Sequence, residues 1–171
     1  MWQGTERIKI DASPEDVWAI VTDVARHQEL AGSGEIRAIR VDGPIAEGTT
    51  WEADESIKMV GSFIARSECV VFDPPLEFSW KSYPPPLKKG NPDSVPNVTW
   101  WFRLTPHDGG TQLEHSFRVI EPKSGGMMIK TFYLVTRRAS TIRKGMLRTL
   151  DNMKAAAERQ EAAEPFAVAG P

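Results

Sequence analysis

Three side chains in this sequence of 171 residues combine reactive chemistry with apolar neighbours. His115 sits in the alternating run 111–121, where Leu113 and Phe117 share its face of a strand. A histidine in an aromatic pocket can hydrogen-bond a ligand carbonyl or phenol, or serve as acid or base. The same position also suits a core histidine satisfied by a neighbour. Glu55 shares strand parity with Trp51, so it points inward or ends the strand in solvent. Tyr83 opens a proline-rich segment and either hangs over a pocket mouth or packs on the prolines. No two of these residues form a motif. The sequence contains no nucleophile elbow, no phosphate-binding glycine loop and no metal-ligand constellation among its three histidines. Neither a metal nor a cofactor is expected.

Composition bounds the rest. With 40% hydrophobic residues, 26% charged residues and a formal net charge of −2, the chain lacks the strong positive field of a nonspecific nucleic-acid binder. The single cysteine, Cys69, forbids an internal disulfide. Its apolar run, Cys69-Val70-Val71-Phe72, marks it as a small buried hydrophobe. The N-terminus has no secretory pattern, and no apolar run approaches the ~18 residues of a membrane span. The expectation is a cytoplasmic protein with one domain over residues 1–160 and a disordered tail over 161–171. Six tryptophans beside two tyrosines are the unusual feature.

The elements that would position these residues follow from periodicity. Residues 6–11 alternate as a half-buried strand. Ser13 then offers an N-cap, Pro14 a first helical residue and Asp16 a capping acid. A second short helix runs toward Leu30. Strands are expected at 36–41, 49–55, 62–72, 76–81, 98–105 and 111–121, separated by turn residues. Residues 56–61 read as a connection, and 82–96, with five prolines, as a long loop. From Met127 to Arg159 the apolar residues fall at helical steps: Met128, Phe132, Val135, Ala139, Ile142, Met146, Leu150, Met153 and Ala157. The order is one strand, two short helices, six strands and one long helix. An antiparallel sheet must cover its apolar face, and only the last helix is long enough to do so. At ~1.5 Å per residue that helix would outrun strands spanning about 27–36 Å. Either the sheet curls along it or its end projects.

These residues resemble the START-like (SRPBCC) superfamily, and within it the polyketide cyclase/dehydrase and lipid-transport group. Ile8-x-Ile10-Asp11-Ala12-Ser13-Pro14-Glu15-Asp16-Val17-Trp18 resembles the family's first strand and capped helix. Gly48-Thr49-x-Trp51 resembles its glycine-led third strand. Val70-Val71-Phe72-Asp73-Pro74-Pro75-Leu76-x-Phe78-x-Trp80 resembles its turn between strands four and five. Trp100-x-Phe102-x-Leu104-x-Pro106 and Gly109-Gly110-Thr111-x-Leu113 resemble its final hairpin. The resemblance implies an α+β helix-grip fold: a curved antiparallel sheet of about seven strands wrapped around a long C-terminal helix. It implies a scaffold and not an activity, because the superfamily serves lipid and hormone binding, polyketide cyclisation and co-chaperone work alike.

Such a sheet leaves a gap beneath the helix, the natural ligand site. Alternation assigns to its lining Trp51, Glu55, Phe63, Phe78, Trp80, Trp100, Phe102, His115 and Phe117 from the strands. Met128, Phe132, Val135 and Ile142 face them from the helix, and Tyr83 overhangs. Cys69 and Val71 share the face of Phe63 if the long strand has no bulge. A solid core would use much the same residues. Large rings, however, are hard to pack to a density of ~0.75 without gaps. Ile57, Met59 and Val60 suit a pocket rim, a homodimer contact or burial under the proline loop. Lys130, Arg137, Arg138, Arg143, Lys144 and Arg148 give the helix a basic middle, a solvated face or one for acidic partners. Gly145 in that helix marks a close approach or a kink. Three functions fit: binding of a small hydrophobic molecule, aromatic or lipid-like; a cyclase or dehydratase using His115; and a co-chaperone-like interaction module.

Overall fold

The structure, a computed structural model, describes residues 2–58, 60–85, 97–120, 123 and 126–163. Seven strands form one antiparallel sheet: β1 (Gln3–Ile10), β2 (Ile36–Val41), β3 (Thr50–Ile57), β4 (Gly61–Asp73), β5 (Glu77–Tyr83), β6 (Asn97–His107) and β7 (Gly110–Ile120). Their order is β1-β7-β6-β5-β4-β3-β2. Only β1 departs from a simple meander, because α1 (Pro14–Thr22), a 3₁₀ turn (Val24–Arg26) and α2 (His27–Leu30) carry the chain from one sheet edge to the other. Ser13 caps α1 as expected, accepting from the Asp16 N–H, with Pro14 in the first turn. Asp108 (φ 40°) and Gly109 (φ 85°) take the paired left-handed conformations of a tight β6–β7 hairpin.

The expected connection at 56–61 is shorter, because β3 continues to Ile57 and β4 begins at Gly61. A bulge between Cys69 and Val71 shifts the β4–β5 register. It turns Phe72 inward in place of Val71: Phe72 packs on the core, its ring 5.2 Å from that of Trp18. The extra residue reverses side-chain parity along the rest of the strand.

The last helix is broken. α3 (Gly126–Val135) and α4 (Arg138–Ala163) meet at Arg137, whose φ is 50°. The preceding Val135-Thr136 pair is β-branched and favours helix weakly. The Thr136 hydroxyl donates to the Phe132 carbonyl at 2.6 Å, a local bond that competes with the helical ladder. The break settles the length mismatch, since α4 alone rises about 39 Å at ~1.5 Å per residue. α4 reaches Ala163, so the first three residues of the expected tail are helical. Residues 164–171 and the greater part of the proline loop, 86–96, lie outside the described residues, as does Met59.

The apolar interior divides in two. One cluster joins α1, the last turns of α4 and the sheet through Ile10, Val17, Trp51, Phe78, Phe102, Leu113, Leu150 and Met153. The other joins α3 and the first turns of α4 to β7 through Phe117, Val119, Ile129, Tyr133, Ile142 and Met146. α4 packs chiefly on β1 and α1. Its N-terminal half meets Phe117 and Val119 of β7 through Ile142 and Met146. Among the described residues no helix is long and apolar enough to cross a membrane.

Candidate functional site

A cavity of about 640 Å³ opens where the two clusters meet. Its sheet wall carries Trp51, Ala53 and Glu55 from β3, Phe63, Ala65 and Ser67 from β4, Trp80 and Ser82 from β5, Val98, Trp100 and Phe102 from β6, and His115 from β7. Ile129, Phe132 and Tyr133 of α3 and Ile142, Met146 and Met153 of α4 form the roof. Strand alternation produces this wall, since residues two apart face the same side. Ala53 and Ala65 are cross-strand partners, and their small side chains leave room that larger ones would fill. The mouth is marked by Val60 and Met128, each 53% exposed, beside Pro85.

Two histidines face this space. His27 is buried, and its Nε2 lies 2.8 Å from the Val21 carbonyl oxygen. That contact places the proton on Nε2 and leaves Nδ1 an acceptor. Burial lowers the His27 pKa, offset in part by the Val21 bond and Asp23. His115 is 5% exposed, and among the described residues neither ring nitrogen has a hydrogen-bond partner. Its ring stacks on Phe102 at 4.4 Å and lies 5.6 Å from Trp100. Burial, and then the nearby His27, push its pKa down to about 3; the Met146 backbone opposes this without reaching hydrogen-bond geometry. His115 is thus a neutral imidazole at physiological pH, a donor and acceptor left unsatisfied in an apolar setting. Leaving such a group unmet costs about 1–3 kcal/mol.

A polar cluster stands near the mouth. Arg138, the first residue of α4, forks onto Glu35 of the α2–β2 connection, with Nη2 donating to Oε2 at 2.6 Å and Nη1 to Oε1. Both side chains are largely sheltered, 13% and 18% exposed. Burial opposes the Arg138 charge, but the bonds and charge of Glu35 outweigh it and raise its pKa. Glu55 faces the same pair. Burial first, and then the Glu35 charge, push its carboxyl up to about 7, while Arg138 pulls it down. Tyr133 completes the group; burial pushes its phenol up to about 12, so it stays protonated.

Of the sequence-predicted site residues, Trp51, Glu55, Phe63, Trp80, Trp100, Phe102, His115, Met128, Phe132 and Ile142 line the cavity. Four do not. Phe78 is fully buried beneath it, stacked on Trp80 at 5.1 Å. Phe117 is buried in the second cluster, 5.6 Å from Trp100. Tyr83 lies at the end of β5, opposite Arg66 of β4. Val135 is 69% exposed: the break at Arg137 rotates α3 so that Ile129, Phe132 and Tyr133 face inward instead. Ile57 and Val60 join the rim. Burial pushes the Cys69 thiol up to about 11, which fits a packing role. The basic middle of the last helices is partly engaged in ion pairs, Arg138 with Glu35 and Arg143 with Glu6. Sequence reading missed His27, Glu35, Tyr133 and Arg138. The acidic and basic members of that set lie far apart in the chain and carried no shared periodicity.

The family described as polyketide cyclase / dehydrase and lipid transport matches residues 1–158, and the chain belongs to it. No curated protein matches the chain with significance. Among solved structures, the chain is similar to the di-domain ARO/CYC StfQ from the steffimycin biosynthetic pathway: 12% identity, TM-score 0.66, covering 94% of this chain and 51% of that one. The chain thus spans about half of that di-domain protein. It is also similar to protein MLL2253 from Mesorhizobium loti (16% identity, TM-score 0.63, covering 92% and 97%). A conserved protein from Geobacillus kaustophilus is comparable (17% identity, TM-score 0.62, covering 92% and 96%). At such identities the likeness is one of fold.

Proposed function

We propose that this protein binds a small hydrophobic molecule, aromatic or lipid-like, in the cavity between its sheet and C-terminal helices. The observation that carries this reading is His115: a buried imidazole with no hydrogen-bond partner among the described residues, facing a cavity of about 640 Å³ walled by aromatic rings. A core built only for stability would fill the space or satisfy the ring. A ligand does both at once. Its apolar body covers Trp51, Trp80, Trp100 and Phe102, and one polar atom meets His115. At ~25 cal/mol per Å² of apolar surface buried, a medium-sized ligand needs few hydrogen bonds to bind usefully. Membership of a cyclase and lipid-transport family supports the same reading.

A second reading, a cyclase or dehydratase, is favoured by the two neutral histidines on one apolar cavity and by the likeness to an ARO/CYC protein. In it His115 works as a neutral imidazole that orients or accepts a proton, since a pKa of about 3 leaves no imidazolium at neutral pH. The binding reading is tested by native mass spectrometry of protein purified from its own host. A small molecule retained with the folded chain supports it. Consistently empty protein that also excludes hydrophobic dyes overturns it.

A further inference from the structure

The two ends of the cavity differ in what they ask of a ligand. Glu55 lines the cavity, and among the described residues its carboxyl makes no hydrogen bond or ion pair. Glu35 and Arg138 satisfy each other through a two-pronged pair, so their charges cancel locally. What remains is one carboxyl, with Phe63 of β4 across from it in register and the Tyr133 phenol beside the same Glu35–Arg138 pair. Aromatic faces carry negative charge density and attract cations. Deeper in, His27 keeps Nδ1 as an acceptor, and His115, 95% buried, is an imidazole without a hydrogen-bond partner among the described residues on the same cavity.

We infer that the ligand is an organic cation: an aromatic or polycyclic molecule whose basic amine docks beside Glu55, with the Glu35–Arg138 pair as a neutral backing. The inference rests on the cavity being a ligand site and specifies what enters it. A carboxylic acid is disfavoured, because the cluster's guanidinium is already taken by Glu35 and the acid would meet two carboxyls. A neutral ligand leaves Glu55 where it stands, in an apolar setting that penalises its charge. An amine restores charge balance and gains the surrounding ring faces. Among the described residues, the charged groups that act on Glu55 are Glu35 from the α2–β2 connection and Arg138 from α4. The Glu55 carboxyl titrates at about 7, so amine binding must deprotonate it and release a proton below that pH.

The test uses three probes of one shape: naphthylmethylamine, naphthylmethanol and naphthoic acid. Each is titrated calorimetrically into the full chain and into Glu55→Gln at mildly alkaline pH. The amine is expected to bind wild type about tenfold more tightly than the alcohol, and the acid most weakly. Glu55→Gln, with its fold checked by circular dichroism, brings the amine down to the alcohol. In wild type the amine's advantage fades as pH falls through about 7, and in Glu55→Gln its affinity shows no such change. Equal affinity of amine and alcohol for wild type, or an advantage that survives Glu55→Gln, overturns the inference and leaves the cavity reading intact. Failure of all three probes overturns both.

Discussion

Arg138 reaches back to Glu35 across 103 positions of sequence and closes a two-pronged ion pair beside the cavity. The pair fixes the start of α4 against the α2–β2 connection, next to the left-handed residue that separates α3 from α4. Removing one partner strands a sheltered charge. Arg138→Met is expected to destabilise the protein by about 2 kcal/mol, between exposed and fully buried pairs. Urea unfolding measures this. The same variant removes the cation that holds Glu55 down, so its carboxyl should titrate above about 7, read by carboxyl NMR. An unchanged Glu55 would separate the two groups.

His115 predicts a trade between stability and binding. Its nitrogens are unsatisfied while its ring is well stacked on Phe102. His115→Phe keeps the ring contact and removes the orphaned polar atoms. The variant should gain about 1 kcal/mol in urea unfolding and lose affinity for any ligand that hydrogen-bonds the imidazole. A loss of stability would mean that the ring has a partner in solution.

The acid-side pH profile follows from the same residue. His115 has a folded pKa of about 3 against an ordinary 6.5, and that of His27 is also lowered. Between those values the unfolded chain binds protons that the folded chain refuses, so stability rises with pH across about 3 to 6.5. Glu55 acts with the opposite sign. Its folded pKa, about 7 against 4.5, makes the unfolded chain the first to ionise, so stability falls as pH climbs from 4.5 to about 7. Unfolding free energies measured across pH should show a flattened maximum in that overlap. Glu55→Gln should remove the decline on its alkaline side, and His115→Phe should reduce the rise on its acid side.

Gly32 predicts the sharpest steric effect. A Cβ there would stand 2.2 Å from the Arg148 Cβ and 2.6 Å from the Gly145 carbonyl oxygen. Its N–H donates to the Thr149 hydroxyl at 2.9 Å, so the connection lies directly on α4. Gly32→Ala must push the two apart, at about 2–3 kcal/mol. Gly145→Ala meets Ser33 only at 3.3 Å and gains about 1 kcal/mol in helix propensity, so it should be close to neutral. Urea unfolding of the two variants checks the order.

Local sequence rules reach as far as one element at a time. Alternation places Trp51, Trp80, Trp100, Phe102 and His115 on the inner face, because the pleat alone decides it. Helical periodicity finds Phe132 and Ile142 but misplaces Val135, because the break at Arg137 resets the phase and no glycine or proline announces it. The bulge after Cys69 exchanges Val71 for Phe72 in the same way. The mouth cluster lies beyond such rules. Glu35 and Arg138 look like ordinary surface residues until the fold brings them together, and His27 reads as one polar residue of a short helix. The tryptophans divide accordingly. Trp2 stacks on Tyr133 at 4.6 Å, Trp18 packs on Phe72, and Trp51, Trp80 and Trp100 wall the cavity. Trp101 lies on the outer face between Arg103 and Arg118, 5.6 and 6.0 Å from its ring.

The central claim is that this cavity is where a ligand sits. Calorimetric titration of naphthylmethanol into wild type and Ala65→Phe tests it most directly, because Ala65 is 1% exposed and lines the cavity wall. The account predicts saturable one-to-one binding to wild type and none to an Ala65→Phe variant that keeps its circular dichroism spectrum. Undiminished binding by the folded Ala65→Phe variant, or none by wild type, would contradict it.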